Sequence, residues 1–340
     1  MSTLPTPDFK AARVGVDNVQ IDGLVVMQMI KHCHGPNLSN QDIVQGALLG
    51  LVSDTKLEIT HSFPFPNSTD ESVDDEGFQY ALITGLRSVQ VDHLQVGWYQ
   101  SAHFGNFLSP QLLESHFAYQ TSIEESICLI FDTGKTEKGF LSLKAYRLTP
   151  QAIELYKAGE FTPEAIRLQK VTYDTVFQEV PIAIKNSHLV NELLLELSEQ
   201  VPAEANPQYL DLGSADVLEK QLKHLIDSVD DLNLESIKFN KYQNMSIKQF
   251  QDKTRYLQKR QQDNTARLAR GEEPLPDEDI NKVFKPIAPP SRLNSLIMSG
   301  HIASCSEHVS QFCSSSMAKW FTSESLQNAK TKSGGTGSSS

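Results

Sequence analysis

The sequence predicts an α/β domain of roughly 130 residues followed by a helical extension. Two observations lead there. Through Tyr146 strand-period and helix-period segments alternate, as in a sheet covered by helices. Beyond Thr149 the alternation stops, and apolar residues recur at helical spacing between Thr-Pro starts and polar stretches. A chain of 340 residues, 39% hydrophobic and 21% charged, can bury a sizeable core, which excludes wholesale disorder. No apolar run approaches the roughly 18 residues of a membrane span; the longest are Gly23–Ile30 and Gly46–Val52. The opening MSTLPTPDFK lacks the basic and then apolar pattern of a secretory leader. The four cysteines are scattered, so reduced thiols in a cytoplasmic protein are expected rather than a disulfide framework or a structural zinc site. The net charge of −12 argues against a dedicated sequence-reading nucleic-acid binder.

The elements follow in order. Val19 and Ile21 alternate with polar residues and mark a strand, and Leu24, Met27 and Ile30 recur as on a helix over Gly23–His32. Val44–Ser53 reads as a buried strand with close backbone contacts at Gly46 and Gly50. Leu57–Phe65 alternates as a paired strand. PFPNSTDESVDDEG is an acidic solvated loop, and Phe78, Leu82 and Leu86 mark the helix after it. His93–Tyr99 is a strand. Ser109 caps a helix with Pro110 in its first turn and Leu112, Leu113, His116 and Phe117 inside. Ser126–Phe131 and Gly139–Tyr146 are strands joined by the turn DTGKTEKG. Thr149-Pro150 and Thr162-Pro163 each start a short helix. Leu189, Leu193, Leu194 and Leu197 make one amphipathic helix, and Leu218, Leu222, Leu225, Ile226 and Val229 another. Ser236–Arg270 is polar and helix-prone. GEEPLPDEDINKVFKPIAPP is a linker, after which Ser291 caps a helix reaching Gln327, with a break plausible at Gly300. The tail KTKSGGTGSSS is low-complexity sequence.

The chemically informative window is Val96–Leu113, VGWYQSAHFGNFLSPQLL. Its frame resembles the MPN (JAB1/MPN-type) family, whose active members cleave isopeptide bonds to ubiquitin-like proteins. There a strand ends in G-W-Y-H-[ST]-H-P, an S-x-x-D follows at a helix start, and an earlier strand reads E-x-x-G-x-x-x-G. Two His and the Asp hold zinc and the Glu is the general base. The spacing has a physical logic. Imidazoles at i and i+2 of a strand point the same way. A carboxylate one turn into the next helix closes a three-ligand site, and the open fourth position holds a water whose pKa falls to about 7.

This chain keeps the frame and departs from the chemistry. Gly97, Trp98, Tyr99, Ser101 and Ser109 match, as do Gly46 and Gly50. The first and second His positions hold Gln100 and Ala102, the Asp position holds Leu112, and the Glu position holds Ile43. The loop from Ala102 to Ser109 is also one residue shorter than the active pattern. Sliding His103 onto the second His position puts Ser101 at the first, so no register supplies two His and a carboxylate. No catalytic, cofactor-binding or metal-binding residue is therefore expected, and no cofactor. The matching residues read as strand packing, aromatic core and helix cap.

The resemblance runs over most of the chain, from Val14 to Gln327. VQIDGLVVMQMIKHC, THSFPFP, LTPQAIELYKAGEF and EVPIAIKNSHL all resemble the non-catalytic branch of the MPN family within eukaryotic translation initiation factor 3. That resemblance implies a mixed β-sheet flanked by helices and a scaffold role. It implies pairing with another MPN protein (the F subunit of that factor), a helical bundle with PCI-domain subunits, and placement on the small ribosomal subunit. The expected divisions are a flexible N-terminus (1–13), an MPN domain (14–150), a helical extension (151–270), a linker (271–290), a bundle helix (291–327) and a flexible tail (328–340). The alternatives from other classes are a metal-free ubiquitin- or peptide-binding module and a residual zinc isopeptidase.

Two further constellations stand out. His32-Cys33-His34 lies at a helix end, where adjacent side chains diverge; it reads as a surface terminus whose histidines face the helix dipole. Lys248, Lys253, Arg255, Lys259, Arg260, Arg267 and Arg270 stand against Asp252 and Asp263 alone, either as a solvated face or as a contact for RNA phosphates or an acidic subunit. The Ser291–Gln327 stripe is expected to bury its apolar face on a partner bundle rather than on its own chain.

Overall fold

The computed structural model describes residues 15–35, 43–53, 55–65, 75–103, 105–136, 141–199, 215–271, 273 and 283–334. The first half runs β1 (Asn18–Asp22), α1 (Gly23–Cys33), β2 (Gln45–Ser53), β3 (Lys56–Pro64), α2 (Asp75–Ser88), β4 (Gln95–Ala102), α3 (Pro110–Ser122), β5 (Ile127–Asp132), α4 (Thr133–Thr136) and β6 (Leu143–Leu148). Then come α5 (Pro150–Ala158), α6 (Pro163–Gln169), β7 (Phe177–Val180), β8 (Ile182–Lys185), α7 (His188–Glu199), α8 (Ala215–Ala269) and α9 (Leu293–Gly334). The strands form one mixed sheet in the order β7-β6-β5-β4-β2-β3-β1-β8. The pairs β1–β3, β1–β8 and β4–β5 are parallel and the others antiparallel.

The period of two decides which face each side chain joins. On β4, Tyr99 packs with Val25, Val26 and Met29 of α1 and with Leu48, Ile59 and Leu129. Its neighbour Trp98 goes to the opposite face, with Leu112 of α3, Cys128 and Ile130. Ala47, Leu49 and Phe63 meet Leu82 and Leu86 of α2. A further cluster joins Leu113, Leu148, Leu155, Val171 and Val176 to Leu293, Leu296 and Ile297 at the start of α9. Caps follow from composition: Ser109, Thr149 and Thr162 each accept a backbone N–H at the start of a helix with Pro in its first turn.

Several expectations need correcting. The sheet takes its edge strands β7 and β8 from the segment expected to be helical, because each has only four residues and Pro181 interrupts their alternation. β4 runs Gln95–Ala102, not His93–Tyr99. DTGKT is not an open turn: Asp132 accepts Lys135 N–H and winds α4, so β6 begins at Leu143 and runs on to Leu148. Asp75–Gly77, read as loop, starts α2. On α1 the buried residues are Val25, Val26 and Met29, while Leu24 and Met27 are exposed. Residues 218–229 and 236–269 lie on one helix, α8, with nothing between them to break it, and Arg270 is in the turn just after it. α9 runs unbroken through Gly300 and beyond Gln327 to Gly334, so part of the expected tail is helical. It starts at Leu293, whose N–H Ser291 Oγ accepts from two residues away. The 1–13 segment, Asp70, Glu71 and Asp74 of the acidic loop, most of the linker and residues 335–340 lie outside the described residues.

Candidate functional site

The site that the motif frame marks sits where β4 ends and α3 begins. Trp98, Gln100 and Ala102 share one face of β4, and α3 brings Leu112 against it. Ser109 fixes that placement by accepting the Leu112 N–H at 3.1 Å. The three expected ligand positions are thus brought together, and all three are buried. Ala102 and Leu112 belong to one buried apolar cluster with Trp98, Phe107 and Ile130. Gln100 Oε1 accepts from Gln45 Nε2 at 3.1 Å, across the β2–β4 pair. Ile43 lies just before β2 and is 66% exposed. Ser101 Oγ accepts the Val44 N–H at 2.8 Å, tying the two segments together.

Zinc, which the fold family implies for its active members, needs His or carboxylate donors here. A methyl group, an isobutyl group and a primary amide already engaged do not fit it. Among the described residues no group of three or more His, Cys, Asp or Glu could hold a metal ion. His103 lies next to the site and places its Nδ1 3.5 Å from Thr133 Oγ1.

The other histidines follow their surroundings. His32 is not a surface end: it is half-buried, its Nδ1 lies 2.8 Å from Tyr99 Oη, and burial holds its pKa below the ordinary value. Burial likewise pushes Tyr99 upward, so both groups are neutral at pH 7. His34 Nδ1 pairs with Ile30 O at the end of α1, and burial pushes the Cys33 thiol up to about 11. His116 is fully buried beside Trp98, whose indole N–H donates to its Nδ1 at 3.3 Å. Burial, with a smaller contribution from Arg147, pushes it down to about 3.

Sequence reasoning missed what covers the site. A cavity of about 230 Å³ lies between Ala102, Phe107, Ile130, Asp132 and Tyr146 on one side and α9 on the other. Asp132 orders the intervening loop by accepting Gly105 N–H at 2.9 Å. Ser304 Oγ donates to Gly105 O at 3.3 Å, His301 Nε2 lies 2.9 Å from Asn106 Oδ1, and Lys135 donates to Gln311 Oε1 at 2.7 Å. Gly105 has φ +78°, and a Cβ there would lie 2.1 Å from the His308 ring, so glycine is what lets α9 approach. The proximal half of α9 therefore docks on its own chain, against the expectation of a partner alone. Met317, Trp320, Phe321 and Leu326 on the distal half remain exposed. HFGNF was the available signal, since a glycine between aromatics marks a close approach.

Residues 14–125 match the family model described as JAB1/Mov34/MPN/PAD-1 ubiquitin protease, and residues 136–332 match the one described as the C-terminal region of eIF3h. Proteins named as the H subunit of eukaryotic translation initiation factor 3, from Culex quinquefasciatus and Aedes aegypti, are 57% and 56% identical over 319 residues, covering 93% of this chain and 95% of their own. The protein of that name from Bombyx mori is 55% identical over 315 residues, 93% of each chain.

Proposed function

This chain belongs to the family of the H subunit of eukaryotic translation initiation factor 3, and from that premise we propose that it is a non-catalytic scaffold of the factor. Its α/β domain pairs with a second MPN protein, the F subunit of the factor. Its helical half joins a bundle with PCI-domain subunits. The assembled factor works in the cytoplasm on the small ribosomal subunit, where it supports mRNA recruitment and the initiation of protein synthesis. The observation that carries the non-catalytic part is that Ala102 and Leu112 lie in one buried apolar cluster while the Gln100 amide oxygen accepts from Gln45. General-base chemistry has no candidate either, since Ile43 stands at that position.

The scaffold part is supported by unpartnered apolar surface. Leu24 and Met27 are exposed on α1. Every leucine of α7 is exposed, and among the described residues none of its side chains is fully buried. Such surface is unfavourable in a lone protein and marks contact sites. Two measurements test the proposal. The purified chain, exposed to zinc and desalted, is expected to retain less than stoichiometric metal and to leave ubiquitin chains intact; bound zinc with cleavage overturns the non-catalytic reading. A chain lacking residues 316–340 is expected to co-purify poorly with the other subunits. Incorporation equal to that of the full chain overturns the bundle role of distal α9.

A further inference from the structure

Helix α8 segregates charge along its length. Up to Glu235 it carries six acidic residues against Lys220 and Lys223; from Ser236 onward it carries eight basic residues against Asp252 and Asp263. The part of α8 up to Phe239 lies antiparallel to the start of α9: Ser228 Oγ meets His301 Nδ1 at 3.1 Å, and Arg292, just before α9, stacks over the Phe239 ring. The basic half projects beyond Arg292, accompanied by residues 283–290, whose Lys285 carbonyl accepts from Gln249 and whose Phe284 meets Tyr256.

The seven basic residues singled out in the sequence do not form one surface. Lys253, Arg260 and Arg267 recur every seventh residue, are half-buried, and share the inner face with Gln249 and Tyr256. Lys248, Arg255, Lys259 and Arg270 are exposed, and exposed Lys241 aligns with them within an arc of about 60° at 3.6 residues per turn. A third face carries exposed Ile247, Phe250, Leu257 and Leu268, roughly opposite the basic one.

We infer that the basic face of α8, from Lys241 to Arg270, binds the phosphate backbone of RNA. This goes beyond the assembly role, because a chain can join the complex without touching RNA. The three-face geometry carries the inference. A protein partner that covers the apolar face leaves the basic face, on the far side of the helix, in solvent. Exposed Asn244 and Gln262 border one edge of the arc and exposed Met245 and Asp263 the other, and Asp252 at that second edge is the one acidic side chain within it. No large apolar or aromatic side chain lies within the arc from Lys241 to Arg270. Protein interfaces need an apolar core of contacts, whereas phosphate contacts need only cations and polar groups. Lys241, Lys248 and Arg255 follow one another at about 10.5 Å and Arg255 to Lys259 at about 6 Å, given a rise of 1.5 Å per residue. None of these five cations has an ion pair among the described residues. With no aromatic platform in the arc, binding is sequence-independent.

The test uses the full-length chain with a labelled single-stranded RNA and an RNA duplex, each titrated from 50 to 200 mM salt. Binding should be salt-dependent and indifferent to base sequence. The triple variant K248E/R255E/K259E should weaken it at least ~10-fold and flatten the slope of log K against log salt by about 2. K248Q/R255Q/K259Q, which keeps a polar helix, should weaken it by a smaller factor. The distant reversal Lys157→Glu and the apolar-face variant F250S/L257S should leave affinity unchanged. The inference is overturned by absence of RNA binding at 50 mM salt, by equal losses in the triple and control variants, or by a polyglutamate competitor as effective as RNA at equal charge.

Discussion

His116 shows how one side chain records its surroundings. The indole of Trp98 can only donate, so His116 Nδ1 is the acceptor and the ring is the neutral Nε2–H tautomer. Its Nε2 is buried with no hydrogen-bond partner among the described residues. A histidine whose folded pKa lies below its unfolded value stabilises the fold above that unfolded value. The stability is lost as pH falls, since the unfolded chain takes the proton first. With 6.5 as the ordinary value and about 3 in the fold, the loss begins below pH 6.5. It reaches about 2 kcal/mol at pH 5. The variant His116→Gln should lack this component: between pH 7 and pH 5 its urea midpoint should fall less than that of the unmodified chain. Equal falls would mean that another group senses acid. His32 and Tyr99 make the contrasting case, a polar pair that satisfies itself across 67 positions of sequence. No local pattern links them, which is why the helix end read as surface; the helix and the strand were legible, their meeting was not.

At the scale of elements, the legible features were those that one residue type forces locally. Gly46 and Gly50 marked close approach, and the β2–β3 register slips at Leu49/Gly50, where a Cβ on Gly50 would lie 1.9 Å from the Glu58 carbonyl oxygen. Gly159 differs in kind: it has φ +68° at the end of α5 and open space around it. Gly50→Ala must push two paired strands apart, so it should destabilise by about 2–3 kcal/mol. Gly159→Ala bears only backbone strain and should lose about 1 kcal/mol. Denaturant unfolding of both variants separates the two costs, and equal losses would remove the close-approach argument for Gly50. The Thr-Pro starts of α5 and α6 and the Ser109 cap were legible for the same local reason. The illegible elements draw their stability from afar. β8 pairs with β1, more than 160 positions away, through Val19↔Ile182 and Ile21↔Ile184, and four residues around a proline carry no periodic signal of that. The candidate site divides likewise: Gln100, Ala102 and Leu112 could be placed from one motif, while the α9 segment over them could not.

At the scale of the molecule, α9 is one continuous helix with two physical roles. Ile297 is buried, and Leu293 and Leu296 pack beside it against Leu113, Leu148 and Leu155, completing a core that the α/β domain leaves open. Gly300 then faces Leu108, and Ser304 and His308 lie over the loop at Gly105. Past Phe312 the helix exposes Met317, Trp320, Phe321 and Leu326, which join no buried core cluster among the described residues. The stability of the isolated protein should therefore depend on where α9 is cut. A chain ending at Ser315 keeps the docked half and should unfold at a midpoint close to that of the full chain. A chain ending at Pro290 loses three core side chains, each contributing about 1.5–3 kcal/mol when fully buried; because two are only half-buried, the total loss should be about 3–5 kcal/mol. It should also expose the apolar wall formed by Leu113, Leu155 and Val176. Thermal unfolding of the three chains, with a dye that reports exposed apolar surface, reads both effects. If the cut at Ser315 destabilises as much as the cut at Pro290, the distal half belongs to the intramolecular fold and is not free for partners. If neither cut matters, the seating of α9 on its own domain contributes nothing, and the helix serves assembly along its whole length.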